Sequence, residues 1–120
     1  MLYEVIEDYQ SVGDKLLIEL VIGDIVELGE ETDPNGEYPY WIFCTNKRTG
    51  KTGWVATQII TKQGDTGIVN QVYSSKEMTV SAGDLVNSDE ELNGWYWCIR
   101  VSDSECGWIP KVNLKRKYQA

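Results

Sequence analysis

Apolar positions along this chain fall in short runs rich in β-branched and aromatic residues. "DKLLIELVIGDIVEL" mixes alternation with Ile and Val. "YWIFCTN", "TGWVATQII", "EMTVSAGDLV", "WYWCIRV" and "ECGWIP" follow, each bounded by Gly, Asn, Asp or Ser. Runs of this length, closed by turn-forming residues, read as β-strands. "KLLIELVI" is dense enough for a helical turn, but Gly23-Asp24 ends it at once, and no capped helical period persists anywhere. Several short strands at close spacing predict an all-β chain of small antiparallel barrels.

The pattern is written twice. Gly23-Asp24 matches Gly83-Asp84, Trp41 matches Trp95, Cys44 matches Cys98, and Gly53-Trp54-Val55 matches Gly107-Trp108-Ile109. Trp to Cys is three positions in both copies, and Cys to the Gly of Gly-Trp is nine in both. Fixed spacing across strand, turn and strand is what a hairpin of fixed register requires. Asp24 to Trp41 is 17 positions and Asp84 to Trp95 only 11, which marks a surface loop that tolerates insertion. The chain is therefore an internal duplication.

The order of these pieces resembles the Src homology 3 (SH3) family, whose outline is ALYDY, a loop, ELSF, two residues, GD, a loop, WW, then GxFPxNYV. "VIEDY" stands for ALYDY, "LIEL" and "EMTV" for ELSF, "WI" and "WY" for WW, and "GWVATQII" and "GWIPKVNL" for the closing phrase. The resemblance implies two small five-stranded antiparallel SH3-like barrels in tandem: residues 1–61, a linker at 62–66, residues 67–116, and a tail at 117–120. It also implies a shelf of aromatics that binds an extended peptide. A polyproline II ligand suits such a shelf because it is already extended and loses little entropy on binding.

On that resemblance the first copy supplies Tyr9 and Trp41, with Glu7 where the first Tyr of ALYDY would stand, Ala56 in the place of the Pro and Ile59 in that of the last Tyr. The second copy supplies Trp95 and Pro110, with Asn113 in the Tyr place and either Tyr73 or Val72 at the place of the ALYDY Tyr. Each half thus carries part of a shelf. Asp14, Glu30, Glu31, Asp33 and Glu37 fall in the two loops that flank the specificity end of the family's groove, and Asp89, Glu90 and Glu91 recur in the second copy. A basic ligand residue is expected against them. The plainer reading of such a run is a solvated loop. Asp24 and Asp84, each after Gly in a turn, read as structural.

Charge narrows the partners. The net charge is −8, and the basic run "KRK" at Lys115–Lys117 is short, so nucleic acid is not expected. Residues 1–60 hold 11 acidic and 4 basic side chains, residues 61–120 hold 8 and 7, so basic partners are expected at the first half. No run of about 18 apolar residues exists to enter a membrane. The start "MLYEVIEDYQ" lacks the basic and apolar regions of a signal peptide, and three Cys with no CxxC pair fit a reducing compartment. A cytoplasmic protein is expected. With no His and no Gly-rich phosphate loop, neither an enzyme nor a cofactor nor a metal site is expected. Cys44 and Cys98 are expected to be buried as small core residues.

Three functions follow. One is a tandem module binding an extended, proline-rich and basic peptide. Another is a structural adaptor whose barrels lack a peptide groove. The third is a Tudor-like or ribosome-associated SH3-like barrel, with Tyr38, Tyr40 and Trp41 caging a quaternary ammonium. Protein or peptide binding is common to the first two and is the expected function.

Overall fold

The computed structural model describes residues 1–13 and 17–118. Among them the chain forms strands and two single turns of 3-10 helix, with no α-helix, so none is long and apolar enough to cross a membrane. In chain order the strands are β1 (Leu2–Val5), β2 (Glu19–Leu20), β3 (Ile25–Glu31), β4 (Trp41–Asn46), β5 (Thr52–Ala56), β6 (Ile60–Gln63), β7 (Thr66–Val69), β8 (Tyr73–Ser74), β9 (Leu85–Leu92), β10 (Trp95–Arg100), β11 (Cys106–Pro110) and β12 (Leu114–Arg116). They build two five-stranded antiparallel sheets, ordered β11-β10-β9-β1-β12 and β5-β4-β3-β7-β6, and the short ladder β2-β8. The all-β expectation holds.

The chain divides into two compact units that cut across the expected boundaries 1–61 and 67–116. One is discontinuous, Met1–Gly13 with Lys76–Ala120. The other is continuous, Asp14–Ser75. The hydrogen bonds show how the duplication produces this. Val5 N donates to Asp84 O at 2.9 Å, as Val69 N does to Asp24 O at 2.9 Å. Gly83 N donates to Val5 O at 2.7 Å, as Gly23 N does to Val69 O at 2.8 Å. Ile6 N donates to Asn113 O and Asn70 N to Ile59 O, both at 2.9 Å. Val5 and Val69 thus hold equivalent places. Yet β1, which precedes the first copy in the sequence, completes the sheet of the second, and β7, which precedes the second, completes the sheet of the first. The two copies have exchanged their leading strands.

The segment 62–66 explains the exchange. It is no linker but the tip of a hairpin: β6 and β7 pair from Ile60↔Val69 to Gln63↔Thr66, leaving only Gly64-Asp65 in the turn. Gly64 takes φ 64, the left-handed conformation such a two-residue turn needs. A tight turn commits β7 to the strand just before it, so the second copy must take its leading strand from elsewhere.

Each unit has its own core. In the discontinuous unit Val5, Met78, Val80, Val86, Cys98 and Ile109 are buried together, with Tyr3, Tyr9, Tyr96 and Leu114 against them. In the continuous unit Ile18, Leu20, Val26, Cys44, Val55 and Val69 are buried. Along β4, Ile42, Cys44 and Asn46 are buried while Trp41, Phe43 and Thr45 are half-buried, the two-residue period of a strand with one core face. Phe43–Trp54 and Trp97–Trp108 meet edge-on across equivalent strand pairs, each with centroids 5.4 Å apart and planes at 73°. Both expected core thiols are fully buried. Burial pushes Cys44 up to about 11 and Cys98 up to about 12.

Candidate functional site

In the discontinuous unit, Tyr9 follows β1 and is held against Val80 by two backbone bonds, Tyr9 N to Val80 O at 3.0 Å and Val80 N to Tyr9 O at 2.9 Å. Its ring meets Trp95 edge-on, centroids 5.7 Å apart and planes at 80°. Trp95 opens β10 and stands opposite Pro110, which ends β11. All three side chains are half-buried. Asn113 ties the segment before Tyr9 to the end of the unit: it is buried, and its Nδ2 donates to Glu7 O at 3.1 Å and Asp8 O at 3.2 Å. The Asp8 carboxylate accepts from Ala82 N at 2.7 Å. The segment leading into Tyr9 is therefore tied to both other parts of its unit.

Tyr9 donates its hydroxyl proton to Glu77 Oε1. Burial first, and then this bond, raise the phenol well above its ordinary pKa, so it stays a protonated donor at every physiological pH. Sequence reasoning did not single out Glu77. The available signal was its place as the acid heading "EMTV", beside the core residue Met78.

The continuous unit repeats this backbone with different side chains. Trp41 stands opposite Ala56 as Trp95 does opposite Pro110. Tyr73 pairs with Leu20 as Tyr9 pairs with Val80. But Tyr73 is only 5% exposed and donates its hydroxyl to Trp54 O at 3.1 Å. Ala56 and Ile59 are buried, where the other unit has Pro110 and Asn113. Tyr40 takes the place of Gly94 and carries its left-handed backbone, φ 68 against 86. Thr57 N donates to Tyr40 O at 2.9 Å, as Lys111 N does to Gly94 O at 2.8 Å. Tyr38 and Tyr40 are exposed, at 62% and 54%.

Several expected groupings are therefore redrawn. Tyr9 lies beside Trp95 and belongs to its unit, while Trp41 belongs to the continuous one. Tyr73 joins the core of the Trp41 unit. Glu30, Glu31 and Glu37 belong to the continuous unit and Tyr9 to the discontinuous one. Glu30 and Glu37 are exposed, and Glu31 pairs with Lys62 at 2.9 Å. Asp14 lies outside the described residues. The charge imbalance between the halves disappears as well. Residues 14–75 hold 9 acidic and 5 basic side chains, and the remainder 10 and 6, so each unit has a net charge of −4.

The two turn aspartates differ in setting. Arg48 grips Asp24 through Nε and Nη2 at 2.9 and 3.0 Å, Val21 N adds a bond at 2.9 Å and Asn46 Nδ2 one at 3.2 Å. Asp24 is buried, and the Arg48 bonds hold its carboxyl well below the usual carboxylate range. Asp84 accepts from Ser81 N at 3.0 Å and from Arg100 Nη1 at 3.4 Å, while Arg100 also bonds Asp103, Glu105 and Thr79 O.

No family model matches the chain, and no solved structure matches it. Among curated proteins it is similar to Myosin-1 of Aspergillus niger, 38% identical over 47 residues, which are 38% of this chain and 4% of that protein. The chain spans a small fraction of that relative's length.

Proposed function

We propose that the chain is a protein-interaction module of two SH3-like barrels with exchanged leading strands, and that one of them, the discontinuous unit, binds an extended proline-rich segment of a partner. The observation that carries this reading is the meeting of Tyr9, Trp95 and Pro110 in one unit. Two aromatic rings and a proline ring form an apolar shelf, and an indole N–H adds a donor for a ligand carbonyl. The acidic charge of the unit favours basic residues in the ligand and speeds its arrival. The continuous unit has a buried Tyr73 and a buried Ala56 at the matching places, which supports a structural role for that barrel.

The test is titration of the full chain with a basic proline-rich peptide. Trp95→Ala is expected to abolish saturable binding and Trp41→Ala to retain it. Loss with Trp41→Ala alone would overturn the assignment of the groove. Binding by neither the wild type nor the variants would overturn peptide recognition itself.

A further inference from the structure

The discontinuous unit is made of two segments that the chain separates by 62 residues, 14 through 75. Tyr9 lies on one segment, Trp95 and Pro110 on the other. Those 62 residues are themselves the continuous unit, and its two ends are clamped together. Ile18 N donates to Ser75 Oγ at 2.9 Å, and Ser75 N donates to Ile18 O at 3.0 Å. Next to this clamp, Glu19 pairs with Ser74 and Leu20 with Tyr73. Ile18, Leu20 and Tyr73 are all buried. Between Gly13 and the clamp the sequence places four residues, 14–17, and Ser75 joins Lys76 directly on the other side. In the discontinuous unit, the chain on either side of the gap is also tied: Ser11 N donates to Thr79 Oγ1 at 3.0 Å and Val12 N to Glu77 Oε1 at 3.5 Å.

We propose that the continuous unit is the closure of the discontinuous one: when folded it turns a 62-residue gap into a short one, and so holds Tyr9 in register with Trp95. No contact between the units is invoked, since the covalent chain carries the effect. Closing a flexible loop costs entropy that grows with three-halves of the logarithm of its length. Shortening the connection from 62 residues to about six favours the closed unit roughly 30-fold. Thermodynamic linkage makes this coupling reciprocal. The folded discontinuous unit, by pinning Gly13 and Lys76, favours folding of the continuous one by the same factor. That the surface held in register is a groove rests on the peptide-binding reading, whereas the coupling does not.

The experiment lengthens the connection and leaves both cores untouched. About twelve Gly-Ser residues are inserted after Gly13 in the full chain. Urea unfolding of each unit is then followed by hydrogen exchange, read separately on β1 with β9–β11 and on β3–β5. The expected result is a roughly fivefold fall in the folded-to-unfolded ratio of the discontinuous unit, from the longer loop. A second variant, Leu20→Asp, unfolds the continuous unit by burying a charge in its core. There the discontinuous unit is expected to lose its folded-to-unfolded ratio by roughly 30-fold or more. Unchanged stability of the discontinuous unit in either variant would overturn the proposal. No ligand enters these measurements, so failure of peptide binding and failure of the coupling are read apart.

Discussion

Where Tyr9 of the discontinuous unit rests half-buried against Trp95, the continuous unit holds Tyr73 in its core, with the hydroxyl spent on the Trp54 carbonyl. Opposite the matching tryptophans stand Pro110 and Ala56. Beneath them are Asn113, which bonds the leading segment, and Ile59, which is apolar. The backbone bonds around these places repeat to within about 0.1 Å. What separates the two places is therefore not the fold but two side chains and the direction in which one tyrosine is drawn. A tyrosine whose hydroxyl finds an acid near the surface stays available; one whose hydroxyl finds an inner carbonyl is absorbed.

The comparison predicts the heaviest losses at equivalent core places. Met78 and Ile18 occupy matching positions and are fully buried. Met78→Ala and Ile18→Ala should each cost their own unit about 2–5 kcal/mol, through lost burial and a residual cavity. Urea unfolding with unit-resolved hydrogen exchange checks this, and a neutral result at either place would break the equivalence. Next comes binding. Trp95→Ala should remove about 2 kcal/mol or more of affinity for a basic proline-rich peptide, and Trp41→Ala none, as measured by calorimetric titration. Equal losses would erase the difference between the units.

Acid should separate the units as well. The folded-state pKa of Asp24 is depressed, so its contribution to the continuous unit is complete above the ordinary carboxylate value near 4 and is lost as pH falls from there towards the folded value. Arg48→Ala should destabilise that unit at pH 7, and less as acid protonates Asp24. A cost that does not change from pH 7 to pH 2 would contradict the assignment. Unfolding monitored through β3–β5 across that range gives the answer.

The left-handed backbone place of Gly94 should show a smaller effect. A Cβ there would meet nothing within 4 Å, so backbone strain decides. Gly94→Ala should destabilise by about 1–2 kcal/mol. Thermal unfolding of the variant measures it. The mildest test is thiol labelling of the native protein. Cys106, half-buried, should react before Cys44 and Cys98, whose thiols are buried and protonated.

Much of this was legible in the residues. The strands Ile25–Glu31, Trp41–Asn46, Thr52–Ala56, Trp95–Arg100 and Cys106–Pro110 announce themselves by β-branched and aromatic runs between turn residues. The duplication is legible in the Trp, Cys and Gly-Trp spacings, and the burial of Cys44 and Cys98 in their register behind the tryptophans. These are local properties: propensity, turn chemistry and alternation act over a few residues and need no knowledge of the partner strand. The partner is what the sequence leaves open. Alternation tells which face of Leu2–Val5 or Thr66–Val69 is buried, but two nearly identical sheets each offer the same edge to either strand. The choice fell to a two-residue turn at Gly64-Asp65, which pairs β7 with its immediate neighbour at little entropic cost and leaves β1 to close the more distant sheet. That non-local pairing carried Tyr9 to Trp95 and Pro110, because the place of a side chain on a shelf follows from which strands pair, and only the folded chain decides that.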